Sequence, residues 1–186
     1  MVVAEKLYTP EEFWEIAQLP ENELRRLELD EGEIVEMASS KPINTIIAGR
    51  VIYFLNAHVI PNDLGYISVP DGGYKLADKT VRQPDAAFVA KERLAKIPRN
   101  FDFAPDLAVE VVSKNEDVLK KVNEYIRAVT RLVWAIYPDE KMVYVFHPAG
   151  AGELRMQSFG VQDTLDGGDV LPGFTLKVSE IFPKAS

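Results

Sequence analysis

"PDLAVEVVS", residues 105–113, decides how this chain folds. Leu107, Ala108, Val109, Val111 and Val112 are the small and branched residues of a central strand, yet Glu110 sits among them. Ala108 and Val112 share the face of Glu110 at a period of two, so that face is not a solvated one. A carboxylate taken out of water is costly unless a partner compensates it. The stretch therefore predicts both the middle of a sheet and a site that Glu110 serves.

Upstream, "RQPDAAFVA" (82–90) reads as a second strand. It opens at Asp85, just after a proline that cannot donate to a ladder. If the two strands are neighbours, Asp85 and Glu110 converge near one end of the sheet. Close carboxylates repel unless one is protonated or a cation lies between them. Mg²⁺ is commonly held by one or two carboxylates, with water and substrate phosphate completing its shell. Taken alone, Asp85 is equally well read as a turn cap.

Downstream, "KNEDVLKKVNEYIRAV" (114–129) predicts an amphipathic helix capped by Ser113 or Asn115, with acids in its first turn. Val118, Val122, Tyr125 and Val129 form its buried stripe. At helical spacing Lys121 lies roughly 80° from the centre of that stripe and Lys120 about 180° away. Lys120 is expected to face water and Lys121 to reach the sheet. There Lys121 either neutralises Glu110 or positions a water for attack on phosphorus, and spacing fits both.

The flanks fill in the architecture. "TPEEFWEIAQL" (9–19) carries a capping box from Thr9 to Glu12, with Pro10 in the first turn. "RRLELDEGEIVEM" (25–37) alternates around Asp30-Glu31-Gly32 as a hairpin. Its Glu28 shares a face with Asp30, and a solvated face is the plain reading of that stretch. "SSKPINTIIAGRVIYFLNAHVI" (39–60) has helical spacing, while "GYISVP" and "GGYKLA" are short strands. "RLVWAIYP" (131–138) and "KMVYVFHP" (141–148) flank a second hairpin turn at Asp139-Glu140. "GELRMQSF" (152–159) adds an edge strand, and "LPGFTLKVSEIF" (171–182) closes the chain. The expected class is α/β (α+β), with helices outside a central mixed sheet.

Composition sets the bounds. At 186 residues the chain suits one domain spanning residues 1–186. Its 47% hydrophobic and 27% charged residues are ordinary for a globular protein. No stretch has the roughly 18 apolar residues that a membrane span needs. The opening segment lacks a basic region followed by an apolar one, and there is no cysteine, so a cytoplasmic location is expected. The net charge of −8 argues against a protein that coats nucleic acid non-specifically. It leaves a nuclease open, because a carboxylate cluster adds acidity that its ion cancels. His58 continues a helix and His147 precedes Pro148 in a turn, at spacing that makes no metal cluster.

In their order and spacing, "LELDEGEIVEM", "RQPDAAFV", "PDLAVEVVS", "KVNEY", "RLVWAIYP" and "LPGF" resemble the restriction-endonuclease-like family of Uma-two type, within the PD-(D/E)XK nuclease superfamily. The likeness runs from about Thr9 to Phe182. It implies a restriction-endonuclease-like core and assigns Asp85 and Glu110 as the metal-binding acids. The superfamily's lysine position, two after the second acid, is Val112 here. Family relatives place the lysine in the following helix, four before a tyrosine, which matches Lys121 and Tyr125. Glu28 matches an N-terminal acid that joins such sites, and Gln83 is a further candidate beside the PD pair. Two positions depart from the family: Val129 stands where a glycine turn follows the helix, and Tyr137 replaces an acid.

These readings predict a nuclease that hydrolyses phosphodiester bonds in DNA. Asp85, Glu110 and the Val111 carbonyl would hold Mg²⁺, with Mn²⁺ as a substitute. Lys121 would position the attacking water, and Glu28 would be an outer ligand or proton acceptor. The rival is a catalytically silent nucleic-acid-binding or assembly module on the same fold. A glycosidase pair ranks lower, since Trp134, one of two tryptophans available to stack on a sugar, lies in an apolar strand. Exposed sheet edges make a homodimer an expectation.

Overall fold

The computed structural model describes residues 6–114, 116–150 and 153–183. Helix α1 (Pro10–Ala17) begins as its sequence demands. The Thr9 hydroxyl accepts from the Glu12 amide, and the Glu12 carboxylate accepts from the Thr9 amide. Strands β1 (Leu27–Asp30) and β2 (Glu33–Glu36) form the expected hairpin. Its turn places Glu31 at φ 52° and Gly32 at φ 94°, the left-handed pair that a two-residue hairpin loop requires. Helix α2 (Pro42–Val59) starts on its proline. Four short strands follow: β3 (Gly65–Ser68), β4 (Tyr74–Ala77), β5 (Thr80–Arg82) and β6 (Ala86–Ala90). Then come β7 (Leu107–Val111), α3 (Val118–Arg127), β8 (Leu132–Tyr137), β9 (Met142–Gly150) and β10 (Glu153–Phe159). The chain closes with β11 (Thr164–Asp166), β12 (Thr175–Lys177) and α4 (Val178–Ile181).

The large sheet has the order β10-β9-β8-β7-β6-β3, so the strand of Glu110 is central. β7 and β8 are parallel because α3 carries the crossover between them, and the other pairs are antiparallel. One face of β7 packs Leu107, Val109 and Val111 into the main core with Val51 and Leu55 of α2. The other face sets Ala108 against Val118, Val122 and Tyr125 of α3. A smaller antiparallel sheet, β2-β1-β5-β4, covers the edge of α3. Its own core joins Leu27, Leu29 and Val81 to Phe13 of α1. Among the described residues no helix is long and apolar enough to cross a membrane.

Several local expectations are corrected. α3 is capped by Asp117, which accepts from the Lys120 amide, and not by Ser113; Asn115 lies outside the described residues. The helix ends before Val129, which is 76% exposed and off the buried stripe. His147 and Pro148 belong to β9 and not to a turn. Beyond Phe146 that strand pairs only with β10, so the proline meets no ladder on its other side. β5 carries no periodic signal in the sequence, because three residues are too few to display alternation.

Candidate active site

Asp85 stands one residue before β6, where Pro84 interrupts the run from β5. Ala86 pairs with Val109, so the next step of that ladder brings Asp85 beside the end of β7. The Val111 amide donates to Asp85 Oδ2 at 2.7 Å. Arg26 Nη2 lies 3.4 Å from Asp85 Oδ1 and donates to the Gln83 carbonyl at 2.6 Å. Both contacts fix the carboxylate at the mouth of a cavity of about 250 Å³, which Glu110, Val111, Glu116 and Lys121 also line.

Glu110 is 2% exposed. Its Oε1 accepts from the Tyr125 hydroxyl at 2.8 Å, and its Oε2 lies 3.5 Å from Lys121 Nζ. α3 supplies both partners because positions 121 and 125 are one turn apart on its inner face. Lys121 is ringed by carboxylates, with Glu116 at 2.9 Å, Glu28 at 3.5 Å and Glu110 at 3.5 Å. The helical angle thus places Lys121 at the sheet as expected. Lys120 does not simply face water, since it pairs with Asp30 at 2.8 Å.

Glu28 overturns the solvated-face reading of its hairpin, being only 1% exposed. Its Oε1 accepts from the Gln83 amide at 3.0 Å and its Oε2 meets Arg82 Nη1 at 3.2 Å. Arg82 also binds Asp30 at 2.7 Å and Glu124 at 2.6 Å, tying the small sheet to α3. Glu28 lies behind Lys121 and does not line the cavity of Asp85 and Glu110. Gln83 gives that site only its main chain, and its side chain lines a different cavity.

The electrostatics follow from burial and like charge. Burial pushes the Glu110 carboxyl up to about 8, against the pull of Lys121 and with the push of Asp85 and Glu28. Asp85 is raised by burial too, while the Val111 amide, Arg26 and Lys121 draw it down. Burial alone would lower Lys121, but Glu110, Glu28 and Glu116 outweigh it and keep the ammonium charged. Two acids raised by burial across one cavity, Glu110 further by the charge of Asp85, beside a carbonyl that accepts from Asn44 at 3.4 Å, form an all-oxygen donor set suited to a hard divalent cation. Among the described residues no group of three or more His, Cys, Asp or Glu side chains is placed to hold a metal. An ion here would draw its other ligands from water and substrate phosphate.

Four participants escaped the sequence reading: Glu116, Arg26, Arg82 and Glu124. Glu116 precedes α3 in irregular chain, where periodicity gives no angle. Arg82 sits on β5, which is too short to show a period.

A mixed sheet flanked by helices, with two acids at the ends of adjacent strands, defines a restriction-endonuclease-like nuclease fold. The chain belongs to the Uma2 family, described as "Putative restriction endonuclease", whose profile matches residues 10–179. A crystal structure of "a putative nuclease belonging to DUF820" from Anabaena variabilis superposes with a TM-score of 0.78 at 21% identity, covering 94% of this chain and 97% of that one. At that identity the likeness establishes the fold. No curated protein matches the chain.

Proposed function

We propose that this protein is a metal-dependent nuclease that hydrolyses phosphodiester bonds in DNA. One observation carries the reading: Asp85 and Glu110 face a single cavity with the charged ammonium of Lys121 beside them. Asp85, Glu110 and the Val111 carbonyl would hold the ion. When bound, Mg²⁺ or Mn²⁺ would polarise a phosphate oxygen and acidify a water. Lys121 stays protonated, so it acts as a fixed positive charge that orients the attacking water and steadies charge developing on the phosphate. Tyr125 aims Glu110, and Arg26 aims Asp85. Glu28 accepts from the Gln83 amide and from Arg82 and lies 3.5 Å behind the Lys121 ammonium, which favours a positioning role over that of proton acceptor.

Calorimetric titration with Mn²⁺ and Mg²⁺, followed by cleavage assays on single- and double-stranded DNA, tests the proposal. Wild type should bind the ions and cut. Asp85→Asn and Glu110→Gln should each lose both properties. Cleavage by Asp85→Asn at the wild-type rate would overturn the assignment. The competing reading, a silent nucleic-acid-binding or assembly module, is favoured by the three carboxylates that already satisfy Lys121. DNA binding that needs neither metal nor Asp85 would select it.

A further inference from the structure

A second cavity, of about 340 Å³, draws part of its lining from the same two segments as the first. Arg26 and Asp85 face the acidic cavity, whereas Arg25, Leu27 and Gln83 face the other. Three features of the second cavity are not used by the proposed hydrolysis. The side-chain oxygen of Gln83 is buried and has no hydrogen-bond partner among the described residues. Buried acceptors left open in this way are costly and call for a ligand or water to complete them. Trp14 lines the same space as a half-buried aromatic side chain. Arg99, exposed at the rim, donates to Gln18 at 2.7 Å and forms no ion pair among the described residues.

Gly73 borders this space without a side chain. A Cβ there would lie 3.3 Å from Val81 Cγ1, 3.8 Å from Trp14 Nε1 and 4.0 Å from Gln83 Cγ. Its φ is not in the left-handed region, so the backbone itself does not call for glycine. An aromatic face for stacking, an amide with a free acceptor and a soft terminal torsion, and an unpaired guanidinium are the three groups that recognise base and phosphate.

We propose that this cavity binds a nucleotide, with its base stacked on Trp14 and hydrogen-bonded to the Gln83 amide and its phosphate at Arg99. Resting on the nuclease reading, the source of that nucleotide is the substrate strand, which would be gripped by an unstacked base next to the bond to be cut. A free nucleotide offers the same chemistry.

The chain has two tryptophans, and Trp134 is fully buried, so ligand-dependent fluorescence reports Trp14. We would titrate the full chain, without divalent ions, with deoxyadenosine 5′-monophosphate and with deoxyribose 5-phosphate. The expected result is a saturable change with the nucleotide and none with the sugar phosphate. Gln83→Leu and Arg99→Ala should each weaken binding about tenfold or more, and Gly73→Val should abolish it. Arg99 is exposed, so Arg99→Ala remains informative should Gly73→Val fail to fold. No saturable change, or one that Gln83→Leu and Arg99→Ala leave untouched, overturns the proposal. An abasic position that slows cleavage of a single-stranded oligonucleotide assigns the cavity to the substrate strand, and unaltered cleavage assigns it to a free nucleotide. Asp85→Asn should retain nucleotide binding. Nucleotide binding without Asp85-dependent cleavage sinks only the nuclease reading, and Asp85-dependent cleavage without nucleotide binding sinks only the cavity.

Discussion

Tyr125 donates its hydroxyl to Glu110 across 2.8 Å, with both side chains sealed from solvent. This bond favours the ionised carboxylate, which is the form that holds a cation. Tyr125→Phe should therefore move Glu110 above its value of about 8 and shift the pH midpoint of Mn²⁺ binding upward. Calorimetry across a pH series measures the shift. An unchanged midpoint would show that the hydroxyl does not tune Glu110.

The same carboxyl makes metal-free stability depend on pH. Its value rises from 4.5 to about 8 on folding, so its protonated form favours the native state. That contribution is complete below the unfolded value and is lost as pH climbs through about 8, to a limit on the order of 5 kcal/mol. Urea unfolding should show wild type weakening from pH 5 to pH 8 more steeply than Glu110→Gln. Added Mg²⁺ should restore wild type but not the variant. Parallel pH profiles for the two proteins would contradict this account.

Lys121 sits within 3.5 Å of three carboxylates. Lys121→Met leaves those acids facing one another and should cost about 3–5 kcal/mol of metal-free stability. A purely structural lysine and one that positions water differ in what Mn²⁺ does next. Binding should persist or tighten in the variant, because a competing positive charge has gone, while DNA cleavage stays lost. Cleavage that returns with the bound ion would reduce Lys121 to a counter-ion.

Val129 occupies φ 67° just past the end of α3, a left-handed position that costs a branched residue about 1–2 kcal/mol. Its side chain is 76% exposed and contributes little packing in return. Val129→Gly should raise stability by about 1 kcal/mol after the extra backbone entropy of glycine is charged against the gain. The midpoint of urea unfolding should rise with cleavage unaltered. A midpoint that falls would mean that the valine side chain matters more than its strain.

The strand frame and the meeting of Asp85 with Glu110 were legible, because a period of two and a proline break are local signals. Lys121 was legible for the same reason, through its helical angle. Glu28 was not. In β1, Leu27 and Leu29 read as the inner face, yet the outer face is covered by Arg82 and α3 from distant parts of the chain. A strand buried on both sides usually reads as apolar throughout. Here ion pairs replace apolar contacts on one side, so alternation misleads. The backbone of Val129 was legible as a missing glycine, although its burial was misjudged along with the helix end.

The acids of the proposed chemistry reside on the large sheet, but the ammonium beside them rides on α3, clamped to the small sheet by Arg82 and Lys120. Arg82 and Glu124 are more deeply buried than Lys120 and Asp30, and α3 also rests on the large sheet through Val118, Val122 and Tyr125. Salt therefore acts unequally on the two sheets. As ionic strength rises, screening should loosen the Lys120 clamp first, so the β1–β2 hairpin would part from α3 while the helix and its ammonium stay seated on the large sheet.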